Sequence, residues 1–255
     1  MRFASLGSGS CGNALVVEAG RTRVLLDCGF SLRATEARLN RLGLGAADLS
    51  GVLVTHEHSD HLAGVARLAK KHRLPVWLTR GTAVALAADV RQEVDIRFLD
   101  SHEPMAVGDL EIQPYPVPHD AREPVQFTFA DGARKLGVLT DAGSITAHML
   151  EVLADCAGLV LECNHDPELL AASRYPTFLK QRVGGRYGHL ANATAASLLA
   201  QLHQGKLQHV VAAHLSQENN RPSLATAALA EAMNCDPEWI GVADQEAGFD
   251  WRHLA

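Results

Sequence analysis

The sequence lacks the features of several protein classes. Its 255 residues include no apolar run long enough to cross a bilayer and no recognisable signal peptide. The five cysteines are an odd number and form no Cys-x-x-Cys pair. A disulfide framework and a cysteine-type zinc site are therefore not expected, and the thiols suit a reducing compartment. We accordingly predict a cytoplasmic protein with no membrane partner.

Acidic residues are absent from one long segment, residues 169–217, although the whole chain has a net charge of -6. The same segment carries five basic residues: Arg174, Lys180, Arg182, Arg186 and Lys206. A basic segment within an acidic protein indicates attraction for an anionic substrate. A solvated helix face with an accidental sign bias is the alternative explanation.

Histidine, in contrast, is abundant, and three of the 13 histidines stand in the stretch THEHSDH at residues 55–61. In an extended chain His56 and His58 point the same way, and Asp60 and His61 stand where the chain turns into a helix pattern. Imidazole and carboxylate groups suit zinc, manganese or iron. A metal explains why groups that are costly to desolvate are concentrated here, whereas a polar surface loop is the alternative.

Three further donors each follow an apolar strand pattern, and they are His119, Asp141 and His214. Alone, each would be an ordinary strand-end cap or turn residue. Together with the histidine-rich loop they give five histidines and two aspartates. This number of donors is enough for two adjacent metal ions, so we predict a cofactor of two divalent metals.

The order of predicted elements indicates an α/β fold. Strand patterns at the start and in the middle of the chain are each followed by helix–strand alternation. Predicted helices cover approximately residues 31–42, 62–72, 144–154, 166–183, 191–204 and 223–233. Two similar halves, each a sheet packed against helices, would form an αββα four-layer sandwich. No linker or internal repeat interrupts the pattern, so residues 1–255 are predicted to form a single domain.

Two short motifs supply candidate substrate contacts. GSGSCG at residues 7–12 formally fits a nucleotide-binding fingerprint, but the strand pattern that follows excludes that interpretation. We expect instead a tight hairpin that approaches the metal site, with Ser10 and Asn13 contacting substrate or serving only the turn. LECNHD at residues 161–166 ends a predicted buried strand with Glu162, Asn164 and His165, and Asn164 and His165 are expected to contact substrate.

A third motif, Gly188-His189, stands immediately before a predicted helix. A histidine at a helix start, near Arg182 and Arg186, is well placed to meet a phosphate. A surface capping role is an equally simple explanation for His189.

These motifs resemble the successive metal motifs of the metallo-β-lactamase superfamily, in order and over nearly the whole chain. The matching positions are Asp27 in LLDCG, HEHSDH at 56–61, His119, Asp141 and His214. The resemblance implies that His56, His58 and His119 hold one metal and that Asp60, His61 and His214 hold the second. Asp141 would bridge the two ions. Asp27 would orient the histidine-rich loop through hydrogen bonds.

Within that superfamily the sequence resembles the nuclease branch, and most of all the YycJ/WalJ-type exonucleases, through CNHD, GHLAN and HLSQENNRP. This implies a dinuclear phosphodiesterase, using zinc or manganese, that acts as a DNA exonuclease. A 5′-to-3′ direction and duplex DNA are among the expected properties. A metal-bridging hydroxide would attack phosphorus, Asp60 would orient it, and His189 would bind the phosphate or protonate the leaving oxygen.

Other functions use the same metal motifs, because the superfamily hydrolyses lactams, thioesters and phosphodiesters on one scaffold. A phosphodiesterase for small molecules or cyclic nucleotides and a thioester hydrolase of the glyoxalase II type both stay open. A metal-bearing nucleic-acid-binding protein without turnover is the non-enzymatic alternative. The oligomeric state is left open.

Overall fold

The first of two β-sheets contains both ends of the chain in the computed structural model, which describes residues 1–202 and 204–255. Its strands are β1 (Arg2–Gly7), β2 (Ala14–Ala19), β3 (Thr22–Leu26), β4 (Gly51–Leu53), β5 (Val76–Leu78), β6 (Ile96–Phe98) and β14 (Phe249–His253). They lie in the order β14-β1-β2-β3-β4-β5-β6. Pairing is antiparallel from β14 to β3 and parallel from β3 to β6.

The second sheet repeats this design. Its strands are β7 (Met105–Val107), β8 (Leu110–Pro116), β9 (Val125–Ala130), β10 (Lys135–Leu139), β11 (Gly158–Glu162), β12 (His209–Ala213) and β13 (Gly241–Val242). They lie in the order β13-β12-β11-β10-β9-β8-β7. Pairing is antiparallel from β7 to β10 and parallel from β10 to β13. The chain therefore has the two similar halves that its element order predicts.

Most helices connect the parallel strands, which need crossover connections. They are α1 (Leu32–Arg41), α2 (Ser59–Leu62), α3 (Val65–His72), α4 (Arg80–Ala83), α5 (Ala88–Glu93), α6 (Ala147–Leu153), α7 (Pro167–Ala172), α8 (Thr177–Val183), α9 (Asn192–Gln201) and α10 (Pro222–Met233). Short 3-10 turns cover Ala46–Asp48, Gln204–Lys206 and Pro237–Trp239. Within the described residues, no helix combines the length and apolar character that a membrane crossing requires.

Three apolar clusters separate four layers. The inner cluster packs the two sheets together and includes Val17 from the first sheet and Phe127 from the second. Leu39 of α1 and Leu68 of α3 belong to an outer cluster against the first sheet. Leu198 of α9 belongs to the outer cluster on the second sheet. The αββα sandwich is confirmed, and the shared inner core supports our proposal that residues 1–255 form one domain.

The single helix predicted at residues 166–183 is wrong, because the structure contains α7 and α8 with a break between them. Pro176 lies in the break, and proline removes a helical hydrogen bond while disfavouring helical geometry at the preceding residue. The break lets α8 follow its own direction along the edge of the functional site. The end of the predicted helix 191–204 is also different, since α9 stops at Gln201, and residue 203 lies outside the described residues.

Candidate metal centre

The polar residues that follow the parallel strands meet at one edge of the sandwich. Parallel strands end on the same side of a sheet, so Asp141 after β10 and His214 after β12 share one edge of the second sheet. Asp27 after β3 of the first sheet reaches the same site, because His61 contacts both Asp27 and Asp141. All three have a positive φ, of 54° for Asp141, 54° for His214 and 60° for Asp27. This conformation is uncommon outside glycine and concentrates at functional sites, where it directs a side chain that the surrounding structure holds.

Asp27 holds the histidine-rich loop in place, as the sequence predicts. Its Oδ1 accepts a hydrogen bond from the Thr55 backbone N–H at 2.8 Å, and its Oδ2 accepts one from the Thr55 hydroxyl at 2.9 Å. His61 Nδ1 lies 2.8 Å from Asp27 Oδ2. The carboxylate is 3% exposed, so these contacts are shielded from water. With Nδ1 donating to Asp27, the lone pair of His61 Nε2 is free to bind a metal.

His56, His58 and His119 form the first group of donors, with their nearest ring nitrogens all within 4.8 Å of one another. His119 Nε2 lies 3.2 Å from His58 Nδ1. On the other side of its ring, His119 Nδ1 donates to the Gly188 carbonyl oxygen at 2.9 Å. His56 Nε2 is buried and has no hydrogen-bond partner among the described residues. The three rings therefore turn one nitrogen each towards a common point.

Asp60, His61 and His214 form the second group. Asp60 Oδ2 lies 3.3 Å from His61 Nε2 and 3.4 Å from His214 Nε2. Donors that share one ion at about 2.0–2.2 Å stand roughly 3–3.5 Å apart in tetrahedral or octahedral geometry. The observed separations therefore fit a common divalent ion.

Asp141 lies between the two groups. Its Oδ2 is 3.2 Å from His61 Nε2, and its Oδ1 is 3.9 Å from His119 Nε2. The side chain is 2% exposed, and Oδ2 has no hydrogen-bond partner among the described residues. A buried carboxylate oxygen without a partner is costly, as is the partnerless nitrogen of His56. Both atoms would gain a partner in a bound divalent cation, so this donor set fits metal.

Glu162, at the end of β11, is a functional candidate that the sequence pattern places at a strand end but to which it assigned no role. It is fully buried, and its Oε1 lies 2.7 Å from His189 Nδ1 and 3.2 Å from His214 Nδ1. Its Oε2 accepts backbone hydrogen bonds from Ala142 and Leu190, both at 3.0 Å. Burial alone would raise the pKa of Glu162, but His189 and His214 lower it to about 2. A carboxylate at the end of an otherwise apolar parallel strand was the available signal.

His189 is held between this buried carboxylate and the pocket. Burial alone would lower its pKa, but the charge and hydrogen bond of Glu162 outweigh burial and raise the pKa above its usual value. The preceding Gly188 fits closely, since a Cβ there would lie 2.1 Å from the Arg182 carbonyl oxygen. Glycine therefore lets this loop pack against α8 and deliver His189 to the site.

The open space above the donors is a pocket of about 390 Å³. Of the predicted substrate contacts, Ser10 and Arg182 line it, together with His189. Arg182 is not a free cation, because its Nε donates to Asp120 Oδ2 at 2.5 Å. Arg186 is exposed, and its carbonyl oxygen accepts a hydrogen bond from the Ser144 hydroxyl. A larger cavity of about 740 Å³ elsewhere contains none of the donor groups, so size does not identify the site.

Asn13 does not lie where a substrate contact was expected. It is 6% exposed, and its Oδ1 accepts hydrogen bonds from the Gly9 backbone N–H and the Ser8 hydroxyl. Its Nδ2 lies 3.3 Å from Asp60 Oδ2, and its backbone N–H donates to the Asp60 carbonyl oxygen at 2.8 Å. The glycine-rich hairpin thus approaches the histidine-rich loop, as predicted. Asn13, however, holds Asp60 in position instead of contacting substrate.

Asn164 and His165 are also placed differently from the expectation, since both are 4% exposed and neither lines the pocket. Asn164 Nδ2 donates to the His214 carbonyl oxygen at 3.0 Å, and its own carbonyl oxygen accepts from the Ser216 N–H. His165 Nε2 faces the turn at Gly184. These two residues support the loop after β12 and the turn after α8, and the sequence pattern alone gave no indication of which way their side chains point.

Comparison with known proteins identifies the family of this chain. A family model described as a beta-lactamase superfamily domain matches residues 22–214. The chain is 37% identical over 235 residues to the exodeoxyribonuclease YycJ of Bacillus anthracis, which covers 91% of this chain and 89% of that protein. It is 31% identical over 228 residues to the exodeoxyribonuclease WalJ of Streptococcus pneumoniae, which covers 88% of this chain and 85% of that protein.

The fold also matches a solved structure, zinc-bound PqqB from Methylobacterium extorquens. The TM-score is 0.74 at 17% sequence identity, over 100% of both chains. At this level of identity the likeness bears on the fold alone.

Proposed function

We propose a function from the premise that this chain belongs to the beta-lactamase superfamily and, within it, to the family of the YycJ and WalJ exodeoxyribonucleases. The chain is a hydrolase of that superfamily. We propose that it is a dinuclear metal-dependent DNA exonuclease, with zinc or manganese as its metal. The observation that carries this proposal is the pair of donor groups with the Asp141 carboxylate between them. We also propose a cytoplasmic location, which suits five free cysteines.

In this proposal His56, His58 and His119 would hold one ion and Asp60, His61 and His214 the other, and Asp141 would be shared between them. When bound, two divalent ions would supply a hydroxide near neutral pH and neutralise charge on the phosphate oxygens.

The remaining steps belong to side chains. Asp60 orients the attacking oxygen, and Asn13 fixes Asp60 through the 3.3 Å contact between their side chains. His189 uses Nδ1 to hold Glu162, so its Nε2 is left to donate a proton to the leaving oxygen. Glu162 keeps His189 in that orientation and favours its protonated form. Ser10 lines the pocket wall and would contact the phosphate backbone, as would Arg182 through the part of its guanidinium that is not paired with Asp120.

A substrate panel tests this function. The panel contains 5′-phosphorylated single-stranded and duplex DNA, RNA, bis(p-nitrophenyl) phosphate, a cyclic nucleotide and a glutathione thioester, each with zinc or manganese. We expect stepwise shortening of DNA from an end. Turnover of the thioester or cyclic nucleotide with no cleavage of DNA would replace the proposal, and DNA binding without turnover of any substrate would favour the non-enzymatic alternative.

Metal content gives a first quantitative prediction. Seven nitrogen and oxygen donors in two groups should bind about two divalent ions per chain. His119→Ala should lose the first ion, because it removes one of three donors in that group. The matched control is His72→Ala, since His72 lies on α3 and pairs with Glu36 away from the site. Elemental analysis of the purified proteins measures both effects, and full activity with a single tightly held ion would contradict the dinuclear version.

Salt dependence gives a second prediction. If the acid-free segment binds a polyanion backbone, DNA affinity should fall steeply as salt rises, and Arg186→Ala should reduce the logarithmic slope by about one. Adding Arg182→Ala should reduce it further, although the pairing with Asp120 limits the effect. Arg33→Ala, which removes an exposed arginine of α1, is the control. Binding titrations across a salt series measure the slopes, and equal slopes for all variants would assign the two arginines a structural role.

A further inference from the structure

We propose that Gln245 is a positioning residue that fixes the glycine-rich hairpin at the metal pocket, so that the backbone N–H and the hydroxyl of Ser10 bind an oxygen of the phosphate held there. The glycine-rich hairpin comprises residues 7–13. The proposal rests on the proposed nuclease function and deepens it, since it names groups that bind phosphate apart from the metal donors. Its test distinguishes failure of this role from failure of that function.

Gln245 is a buried side chain in an otherwise exposed turn. It lies between β13 and β14, where Asp244 and Glu246 are exposed, but Gln245 itself is only 8% exposed. Its Oε1 accepts a hydrogen bond from the Cys11 backbone N–H at 2.8 Å, and its Nε2 donates to the Gly12 carbonyl oxygen at 2.9 Å. Both ends of the amide are therefore bound to the hairpin, 233 and 234 positions away in sequence.

The hairpin approaches Gln245 closely because it carries glycine. A Cβ at Gly9 would lie 2.6 Å from Gln245 Oε1, and a Cβ at Gly7 would lie 2.5 Å from the Gln245 carbonyl oxygen. Gly9 also has a φ of 145°, a conformation that glycine adopts readily and other residues rarely do. The glycines of GSGSCG therefore serve close packing against Gln245 rather than a nucleotide fingerprint.

Two further contacts fix the hairpin against the metal donors. Ser8 Oγ accepts a hydrogen bond from the His214 backbone N–H at 2.9 Å, and the Asn13 N–H donates to the Asp60 carbonyl oxygen at 2.8 Å. His214 and Asp60 belong to the second donor group. With Gln245 bound as well, the hairpin has little freedom to move relative to that group.

Ser10 stands at the tip of the hairpin and offers two donors. It is exposed and lines the metal pocket. Within the described part of the chain, neither its backbone N–H nor its hydroxyl has a hydrogen-bond partner. The other backbone N–H groups of the hairpin donate to protein oxygens, and they belong to Gly7, Ser8, Gly9, Cys11, Gly12 and Asn13.

A free N–H and a hydroxyl in a metal pocket suit a phosphate oxygen. Backbone N–H groups and serine hydroxyls are among the groups that contact phosphates in protein–DNA complexes. Donors that are fixed before the substrate binds stabilise charge that develops on oxygen, because they need no reorganisation. Ser10 shares the pocket with Asp141 and His214, so a phosphate at the donor groups lies in the same space. Gln245 does not line this pocket, so it acts on the phosphate through the hairpin.

Gln245→Met tests this role, because methionine keeps the length of the side chain and removes both hydrogen bonds. We expect kcat/KM on DNA to fall roughly 10- to 100-fold, the range for one lost hydrogen bond to a charged group. Turnover of bis(p-nitrophenyl) phosphate should fall similarly, since the lost contact is to the phosphate itself. Gln208→Met is the matched control. The Gln208 amide also binds backbone at both ends, at Ala255, beside the larger cavity that contains none of the donors.

Metal content and a double variant separate positioning from a general loss of structure. Elemental analysis should find the metal content of Gln245→Met unchanged. Ser10→Ala, at an exposed tip where folding is not at risk, should lower kcat/KM roughly 3- to 10-fold. The double variant should lose less than the product of the two single effects, because both changes act on one contact. Losses that multiply, or a loss of metal in Gln245→Met, would overturn the role of Gln245.

Binding of 5′-phosphorylated duplex DNA without divalent metal, measured by fluorescence anisotropy, distinguishes the two proposals. If Gln245→Met binds DNA more weakly than Gln208→Met but the unmodified protein cleaves none, the nuclease function fails and the role of Gln245 stands. If the unmodified protein cleaves DNA and Gln245→Met matches Gln208→Met in kcat/KM and Kd, the role of Gln245 is overturned and the nuclease function stands. Absence of both binding and cleavage would overturn both.

Discussion

Replacing Asp141 by alanine should remove at least one of the two proposed metal ions and nearly all turnover. The Asp141 carboxylate lies near both groups, with Oδ2 3.2 Å from His61 Nε2 and Oδ1 3.9 Å from His119 Nε2. Two adjacent dications repel each other, and neutral imidazoles do not offset that repulsion. The loss should exceed the roughly 10- to 100-fold that follows removal of a residue merely hydrogen-bonded to a ligand. Elemental analysis and bis(p-nitrophenyl) phosphate turnover measure the two effects.

Two further variants make the Asp141 result specific. Asp141→Asn keeps the side-chain shape and tolerates the positive φ, so it should fold normally and still lose metal through loss of charge. Asp120→Asn removes a carboxylate from the same pocket that belongs to neither donor group, and it should keep both ions. An Asp141→Asn protein with normal metal content would show that the bridge is misassigned. Thermal unfolding of each variant, measured with and without added metal, separates loss of metal from loss of fold.

The position of the donors was predictable because they follow strand patterns. β10, β11 and β12 are parallel, so the residues after them must share one edge, and β8 runs in the same direction as β10. The alternation of apolar residues and the length of each apolar run identified those strands. The histidine-rich loop identified the edge of the sheet at which the donors meet. Any fold that places these strands in one sheet brings Asp141, His119 and His214 near one another.

Side-chain direction and tertiary pairing were not predictable in the same way. Asn13, Asn164 and His165 stand at strand ends like the metal donors, but each is turned into the protein, where backbone groups need partners. The pairing of Arg182 with Asp120 joins residues 62 positions apart, and nothing local indicates it. The break before α8 was predictable from Pro176, but the surrounding helical pattern concealed it.

Glu162 illustrates the same difficulty and leads to the role of His189. From sequence it is one more polar residue after an apolar run. In the structure it is fully buried, accepts two backbone hydrogen bonds, and holds both His189 and His214. A buried carboxylate that is held by the backbone fixes a histidine ring firmly. The His189 ring is therefore preorganised, whereas a surface capping residue would not need such a partner.

His189→Ala should lower kcat on DNA roughly 10²–10⁴-fold, the usual range for a lost general acid, while both metal ions are retained. His189 belongs to neither the first nor the second donor group, although its Nδ1 lies 3.5 Å from Asp141 Oδ1. The size of the loss should depend on the leaving group. An alkoxide leaving group from DNA needs a proton, whereas nitrophenolate leaves without one, so bis(p-nitrophenyl) phosphate turnover should fall much less.

The leaving-group comparison separates the acid role of His189 from its alternatives. His148→Ala, which removes a partly exposed histidine on α6, is the control and should match the unmodified protein on both substrates. Equal losses on DNA and on the nitrophenyl ester would mean that His189 positions the phosphate or the metal ligands rather than donating a proton. Unchanged turnover on DNA would mean that His189 is only a capping residue. Loss of metal would mean that His189 is a metal ligand, in the group that also contains Asp141, Glu162 and His214. Because Nδ1 of His189 is already hydrogen-bonded to Glu162, proton donation by His189 requires that its Nε2 face the leaving oxygen. This geometry predicts that His189→Ala loses turnover only on substrates with poor leaving groups.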